Sequence, residues 1–453
     1  MSWFTVLLSP RALLLFSLLP LFACAGKGTP TTKTQALSSS VSIAGAPASI
    51  GVGANWQYMA TVTGSSNQNV TWTVRGGGTI DASSGLYIAP NLVPNPATAT
   101  ITATSVADSL ETASTTVTIQ ATDPLGSVGS YSPLSSCGGS LPGGTCYQIT
   151  VSCPGTSVIT AYLKILRPSA ISIGTVLFGV GTGGSGLYDD PNSAGYTFGG
   201  NVVQNVLRAG YNTVQVSFGQ PFNPGQPNGW LQGPGGVRRL ACRYATVADW
   251  IYHHPNVINS SVTASTSAPM CATGNAGGSG AVAYAVYEYG LNSEFAMVEP
   301  TSGPVMTRID LGCSPCSSTA TGPVCASTNL HPELCYETAD AASIDAAYSS
   351  GTTTGAGACT NALNGSPRIN ASAVFLSDSI LYQGPTTVPI ASTRMKQLLG
   401  DSDTSNAVPQ GMIWQSLISP SPAQQCMVGV QQDMPNFQTA ATQIASDLVT
   451  NCH

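Results

Sequence analysis

The stretch CATGNAGGSGAVAYAVYEYG (residues 271–290) decides how this chain is read. An apolar run stops at Gly274, glycines crowd the turn that follows, and small apolar residues then recur at helical spacing. That order specifies a buried strand, a tight turn, and a helix packed close against the strand it has just left. Only small residues fit at both flanks of such a turn.

The same alternation extends outward. ITAYLKILRP and GTVLFGVGTG read as strands, VVQNVLRAG as a helix, YNTVQVSFG as a strand, RRLACRYATVADWIYHH as a helix and PMCATG as the short strand entering the turn. Strands alternating with helices over residues 130–453 predict a largely parallel sheet wrapped on both faces. Residues 302–367 interrupt the pattern with a lower-complexity insertion carrying Cys313, Cys316, Cys325, Cys335 and Cys359. A disulfide-tied lid over a site is the usual reason for a segment of this length. Beyond it, INASAVFLSDS reads as a strand, MKQLLGDSDTS as a strand ending in an acidic turn, and FQTAATQIASDLVTNC as an amphipathic terminal helix. Cys426 and Cys452 flank that helix and are a candidate disulfide pair.

The amino-terminal third is different. MSWFTVLLSPRALLLFSLLPLFAC has a lone Arg11, an apolar run and a small-residue ending, the pattern of a secretory signal over residues 1–23. Its Leu-Phe-Ala-Cys ending resembles a bacterial lipobox, which implies a lipid on Cys24 and a membrane partner through that anchor. Ala25 is not the aspartate associated with inner-membrane retention, so the outer membrane is the expected site where the source has one. Residues 24–39 read as a polar tether. Residues 40–121 form short alternating strands separated by Gly, Asn, Asp and Pro turns, which predicts an antiparallel sandwich. Here WTVRGGGTIDASSGLYIAP, TATITATSVAD and TTVTI resemble bacterial immunoglobulin-like domains, modules that commonly act as spacers or adhesive units.

Composition narrows the function classes. Charged residues are 8% of the chain and the net charge is -6, with no Lys or Arg run. Nucleic-acid binding needs clustered cations, so it is not expected. The chain has 13 cysteines; without Cys24 an even number remains in an exported context, and up to six disulfides are expected. Cys313-Ser-Pro-Cys316 has no second pair at finger spacing, so disulfide chemistry is preferred to a metal site. Nothing in the sequence asks for a cofactor.

Residues 145–453 resemble the α/β-hydrolases at four places. The first is TVLFGVGTGGSG, whose Gly181, Thr182, Gly183 and Gly184 are similar to the oxyanion loop after the third strand. The second is the turn, which offers two frames of the family's Gly-x-Ser-x-Gly. Gly274-Asn275-Ala276-Gly277-Gly278 fits everywhere except the nucleophile, which is Ala276. Gly277-Gly278-Ser279-Gly280-Ala281 has its serine but ends in alanine and would extend the strand through a poor strand sequence. The first frame is preferred, with Ser279 as the alternative nucleophile and Gly277 beside the oxyanion position. The third place is LLGDSDTS, where Asp403, in preference to Asp401, matches the family's orienting carboxylate. The fourth is the loop before the last helix, where a histidine is expected and Gln432 stands.

Glutamine cannot accept a proton near neutral pH and so cannot be the general base. His253 and His254 close a helix at the opposite end of the sheet, and a five-residue strand spans about 17 Å. His453 is the last residue given, beyond Cys452. His331, within the insertion, is the alternative base. Glu299 ends a strand near the turn and is expected to reach the pocket.

Three readings follow. The first is a cell-surface lipoprotein whose hydrolase-like domain has lost serine chemistry and binds a small ester, amide or glycan ligand. The second is an active esterase using Ser279, Asp403 and His331. The third is a structural adhesion or spacer protein.

Overall fold

The computed structural model describes residues 39–181, 183–192, 196–219, 229–258, 268–316, 323–326, 333–348, 357–380, 392–418 and 421–453. Cys24, Thr182 and His331 lie outside these residues.

The amino-terminal strands are β1 (Ser40–Ala44), β2 (Ser49–Gly51), β3 (Asn55–Gln57), β4 (Met59–Thr63), β5 (Val70–Gly76), β6 (Thr79–Ile80), β7 (Leu86–Ile88), β8 (Thr98–Ser105) and β9 (Thr112–Gln120). They form a four-stranded sheet ordered β2-β9-β8-β5, a three-stranded sheet β3-β7-β6 and the pair β1-β4. Strand β8 alternates buried and half-buried along its length, the period-two signature of a sheet with one covered face. Its Ala99, Ile101 and Ala103 pack with Trp72, Tyr58 and Tyr87 in a core of their own.

The large sheet contains β10 (Ser127–Pro133), β11 (Thr145–Ser152), β12 (Ile159–Leu166), β13 (Gly174–Gly179), β14 (Tyr211–Phe218), β15 (Met270–Asn275), β16 (Phe295–Thr301), β17 (Arg394–Gly400) and β18 (Ala423–Met427). Their order is β10-β11-β12-β14-β13-β15-β16-β17-β18. From β14 onward every neighbouring pair is parallel, while β10, β11 and β12 join antiparallel. The helices are α1 (Gly199–Arg208), α2 (Val237–His253), α3 (Pro255–Ile258), α4 (Gly277–Tyr287), α5 (Ile309–Gly312), α6 (Thr338–Ala347), α7 (Ala358–Leu363), α8 (Ala371–Asp378), α9 (Ala407–Leu417) and α10 (Gln438–Asn451).

The largely parallel sheet covered on both faces is as expected. Strand β13 shows how the sequence produces it: Val176 and Phe178 join Val202, Val206, Ile444 and Leu448 of α1 and α10 on one face. Leu177 points the other way, into the core made with α2 and α4. A strand buried on both sides loses polar alternation and reads as a continuous apolar run.

Two expectations are corrected. INASAVFLSDS is helical, forming α8. Its buried positions Ala371, Val374, Phe375 and Asp378 recur at three- and four-residue spacing, a period that its β-branched and aromatic residues hide. The pairing of Cys426 with Cys452 is also wrong. Cys452 joins Cys271 of β15, with Cα atoms 5.9 Å apart, because α10 crosses back over the middle of the sheet. Cys426 sits on the last strand and joins Cys325 of the insertion. The other bonds are Cys137–Cys146, Cys153–Cys242, Cys313–Cys359 and Cys316–Cys335. All twelve cysteines after Cys24 are therefore paired, and Cys313 and Cys316 hold the insertion together.

A buried cation joins the amino-terminal strands to the large sheet. The Arg238 guanidinium donates to Asp123 Oδ2 at 2.6 Å, to Val52 O at 2.9 Å and to Ser377 O at 3.3 Å, and it pairs with Glu288 Oε2 at 2.7 Å. Asn55 adds donations to Ser377 Oγ and Asp378 Oδ1, both at 2.7 Å. Glu288, at the end of α4, is thus a partner of this arginine.

Candidate functional site

The chain leaves β15 at Asn275 and enters α4 at Gly277, so the whole reversal falls on Ala276. Ala276 has φ 47° and ψ -114°, a conformation that costs a non-glycine residue about 1–3 kcal/mol. Its surroundings impose it. The Ala276 amide donates to Thr301 O at 3.0 Å, and its carbonyl accepts from the Ser279 amide at 2.9 Å. A Cβ on Gly274 would stand 2.4 Å from the Gly278 carbonyl carbon, and one on Gly278 would stand 2.7 Å from Val180 O. Glycine at both positions lets the helix start directly against the sheet.

This geometry places Ala276 at the apex of the turn. Ser279 is one turn along α4, fully buried, with its hydroxyl donating to Ala276 O. A hydroxyl spent on a backbone carbonyl and closed off from solvent cannot attack a substrate. The Ser279 frame is therefore corrected: a strand of six residues ends at Asn275, leaving Ser279 inside the helix.

Above Ala276 lies a cavity of about 190 Å³ lined by Gly181, Ala276, Gly277, Gln432 and Asp433 from the sheet end, and by Tyr336, Asp340, Ser343 and Ile344 from the insertion. Gly181 and Ala276 approach closely, since a Cβ on Gly181 would lie 3.7 Å from that of Ala276. The backbone groups of the expected oxyanion loop have the following partners. The Gly181 amide donates to the Tyr196 hydroxyl at 2.9 Å, and the Gly184 amide to Gly181 O at 3.0 Å. Gly183 gives its carbonyl to the Trp230 amide at 2.7 Å. Gly277 begins α4, where the first amides have no intrahelical acceptor, and it opens onto the cavity.

Gln432 is half-buried in the cavity wall. Its carbonyl accepts from Ser302 Oγ and from the Met434 amide. Asp403 is 2% exposed; Oδ1 accepts from the Ser405 amide at 2.8 Å. Burial, opposed by the Ser405 bonds and aided by the Asp433 charge, moves its carboxyl up to about 6. Asp401 instead accepts from the Gly429 amide at 2.7 Å. His253 and His254 use Nδ1 on the carbonyls of Asp249 and Trp250, 2.9 and 2.8 Å away. The proposed base His331 falls outside the described residues.

The strand order β11-β12-β14-β13-β15-β16-β17-β18, with β12 antiparallel to both neighbours and the strained turn after β15, is the decisive observation. The larger part of the chain resembles the α/β-hydrolases. No protein-family model matches the sequence, and no curated protein matches it either. Among solved structures, an esterase of Pyrobaculum calidifontis is 13% identical, with a TM-score of 0.40 over 67% of this chain and 84% of that one. Brefeldin A esterase, a bacterial homologue of human hormone-sensitive lipase, is 12% identical, with a TM-score of 0.36 over 70% and 79%. A putative hydrolase from Agrobacterium vitis is 9% identical, with a TM-score of 0.40 over 69% and 100%. Strand order and turn geometry, not these distant likenesses, carry the fold of the hydrolase-like domain.

Several residues at the site of the hydrolase-like domain escaped the sequence reading. Asp433 adjoins Gln432 and accepts from Asn275 Nδ2 at 3.4 Å. Asp340 comes from the insertion and accepts from Asn406 Nδ2 at 2.8 Å. Tyr196 lies in a glycine-rich stretch with no periodic signal. Position in the loop before the last helix was the one available clue, and it applied to Asp433 alone.

Glu299 does not reach the cavity, because its side chain is fully buried and directed at α10. There it meets the Asp447 carboxyl, which also pairs with Lys396. Neither Glu299 oxygen has a hydrogen-bond partner among the described residues, which leaves a buried carboxylate there without compensation. Burial, reinforced by the Asp447 charge, raises the Glu299 carboxyl well above its ordinary 4.5. A native group with a raised pKa keeps a proton that the unfolded chain releases. Stability is thus full below the unfolded value and falls as pH rises toward the native one, by about 1.4 kcal/mol per pH unit for one proton. Glu299→Gln is expected to remove that slope. Urea midpoints of both proteins between about pH 5.5 and pH 7.5 test it; parallel profiles would mean that Glu299 is ionised in the native state.

Proposed function

We propose that the hydrolase-like domain binds a small ester, amide or glycan-derived ligand in the cavity over the turn, without serine-hydrolase turnover. The observation that carries this reading is Ala276 at the apex of the turn, a methyl group where the chemistry needs a nucleophilic oxygen. Gln432 in the cavity wall supports it from the other side, since an amide cannot relay the proton. The cavity and the disulfide-bonded insertion that walls it would then serve recognition. The test is turnover of short acyl chromogenic esters by the purified, disulfide-intact protein. Its Ala276→Ser, Gln432→His and combined variants are run beside it. Native turnover that disappears on Ser279→Ala would overturn the reading.

We further propose that residues 40–121 are an immunoglobulin-like module and that a lipid on Cys24 fixes the protein to the cell envelope. Cys24→Ser protein is expected to move from the membrane fraction to the soluble fraction on cell lysis and sedimentation. Retention in the membrane would exclude the anchor.

A further inference from the structure

Among the described residues, the lining of the cavity over Ala276 carries carboxyls and no cationic side chain. Of the described residues that line it, the charged ones are Asp340 and Asp433. Behind them Asp403 and Glu337 act on the same groups, since Glu337 opposes ionisation of Asp340, while Asp433 and Glu337 oppose that of Asp403. No lysine, arginine or histidine is among the described lining residues. Arg308, on the same insertion, is committed to Asp310, with Nε and Nη2 at 2.8 and 2.6 Å from its two oxygens. The sequence also limits what else could neutralise the cavity. Within residues 39–453, those outside the described set contain no lysine or arginine, and His331 is their one basic side chain.

Two further features bear on the ligand. Asn406 is 2% exposed and donates to Asp340, while its own Oδ1 has no partner among the described residues. Asn406 thus holds Asp340 in place from behind the cavity wall. Tyr336 adds an aromatic ring to the wall, and aromatic rings attract cations. In the sheet-end wall of the cavity, the Gly277 amide heads the eleven-residue helix α4, whose positive end favours an electron-rich oxygen.

We propose that this cavity takes a two-ended organic cation, an ammonium or quaternary ammonium facing Asp340 and Asp433 and a carbonyl oxygen facing Gly277. The proposal rests on the binding reading above and specifies its ligand as an ester or amide of an amino alcohol or amino acid.

Three probes separate the possibilities: butyrylcholine, its neutral carbon isostere 3,3-dimethylbutyl butyrate, and calcium chloride. Binding is measured by titration calorimetry on the disulfide-intact protein and on the Asp340→Asn/Asp433→Asn variant, whose fold is checked by circular dichroism. The cation is expected to bind at least about tenfold more tightly than the isostere, with the preference reduced by salt and abolished in the variant. Equal affinities, or a preference that survives in the variant, would overturn the proposal while leaving a binding cavity. Stoichiometric calcium binding that excludes butyrylcholine would overturn it in favour of a metal site. If neither organic probe binds, this ligand proposal is overturned, while the turnover assays on the native protein and its Ser279→Ala variant still decide the reading on which it rests.

Discussion

The Ala276→Ser/Gln432→His protein is expected to hydrolyse short acyl esters at least about a hundredfold faster than the native protein, and either single variant is expected to stay at background. Removing one member of a serine triad costs about 10⁴ to 10⁶ in turnover, and nucleophile and base act as a unit, so restoring one alone recovers little. The backbone is ready for both. The turn at residue 276 is held by the Thr301 carbonyl, and residue 432 is held by bonds to its carbonyl from Ser302 and Met434. Neither depends on the side chain being replaced. Asp403 supplies a carboxyl within electrostatic range of this loop. The weakness is the oxyanion site, because Tyr196 occupies the Gly181 amide. One such donor is worth about 10² to 10³ in rate. Adding Tyr196→Phe is therefore expected to raise the double variant further. A double variant that stays inert while its fold and its probe binding are intact would show that residue 432 is not the position from which a base can serve residue 276.

Arg238→Ala is expected to destabilise the protein by about 3–5 kcal/mol, the cost of leaving buried charge uncompensated. Arg238 is 3% exposed, and its partners Asp123 and Glu288 have side chains only 8% and 12% exposed. Removing the cation leaves two carboxylates facing each other in a site that water barely enters, and it strands the Val52 and Ser377 carbonyls. Arg238→Lys keeps the charge but cannot span four partners with one planar fork, so an intermediate loss is expected. The urea midpoint of the disulfide-intact protein measures both. Because the arginine reaches Val52 just after β2, Glu288 just after α4 and Ser377 of α8 at once, Arg238→Ala should also speed proteolysis between residues 121 and 127. A change below about 1 kcal/mol would mean that the amino-terminal sheets are held by apolar contact alone.

Much of this architecture was legible in the chain. Gly274 and Gly278 mark the turn because close packing tolerates no Cβ at either, and apolar runs mark strands buried on both faces. Segment 371–378 was misread because its β-branched and aromatic residues mimic a strand while its spacing is helical. Disulfide partners could not be read, since Cys271 and Cys452 are brought together by a helix that returns across the sheet, a tertiary event without a local signature. The acids of the cavity were missed for a similar reason: Asp340 and Asp433 are distant in sequence and meet only when the insertion folds over the sheet end. Ser279 remained an alternative nucleophile because sequence alone does not show where the strand stops.

The shape of the turn at Ala276 belongs to the architecture, since glycine packing and one main-chain bond to Thr301 impose it whatever side chain is present. That has a genetic consequence. Alanine and serine codons differ by a single base, and so do those of glutamine and histidine. A gene encoding this scaffold stands two point mutations from serine at position 276 and histidine at position 432. The frame at position 276 would accept either side chain without being rebuilt.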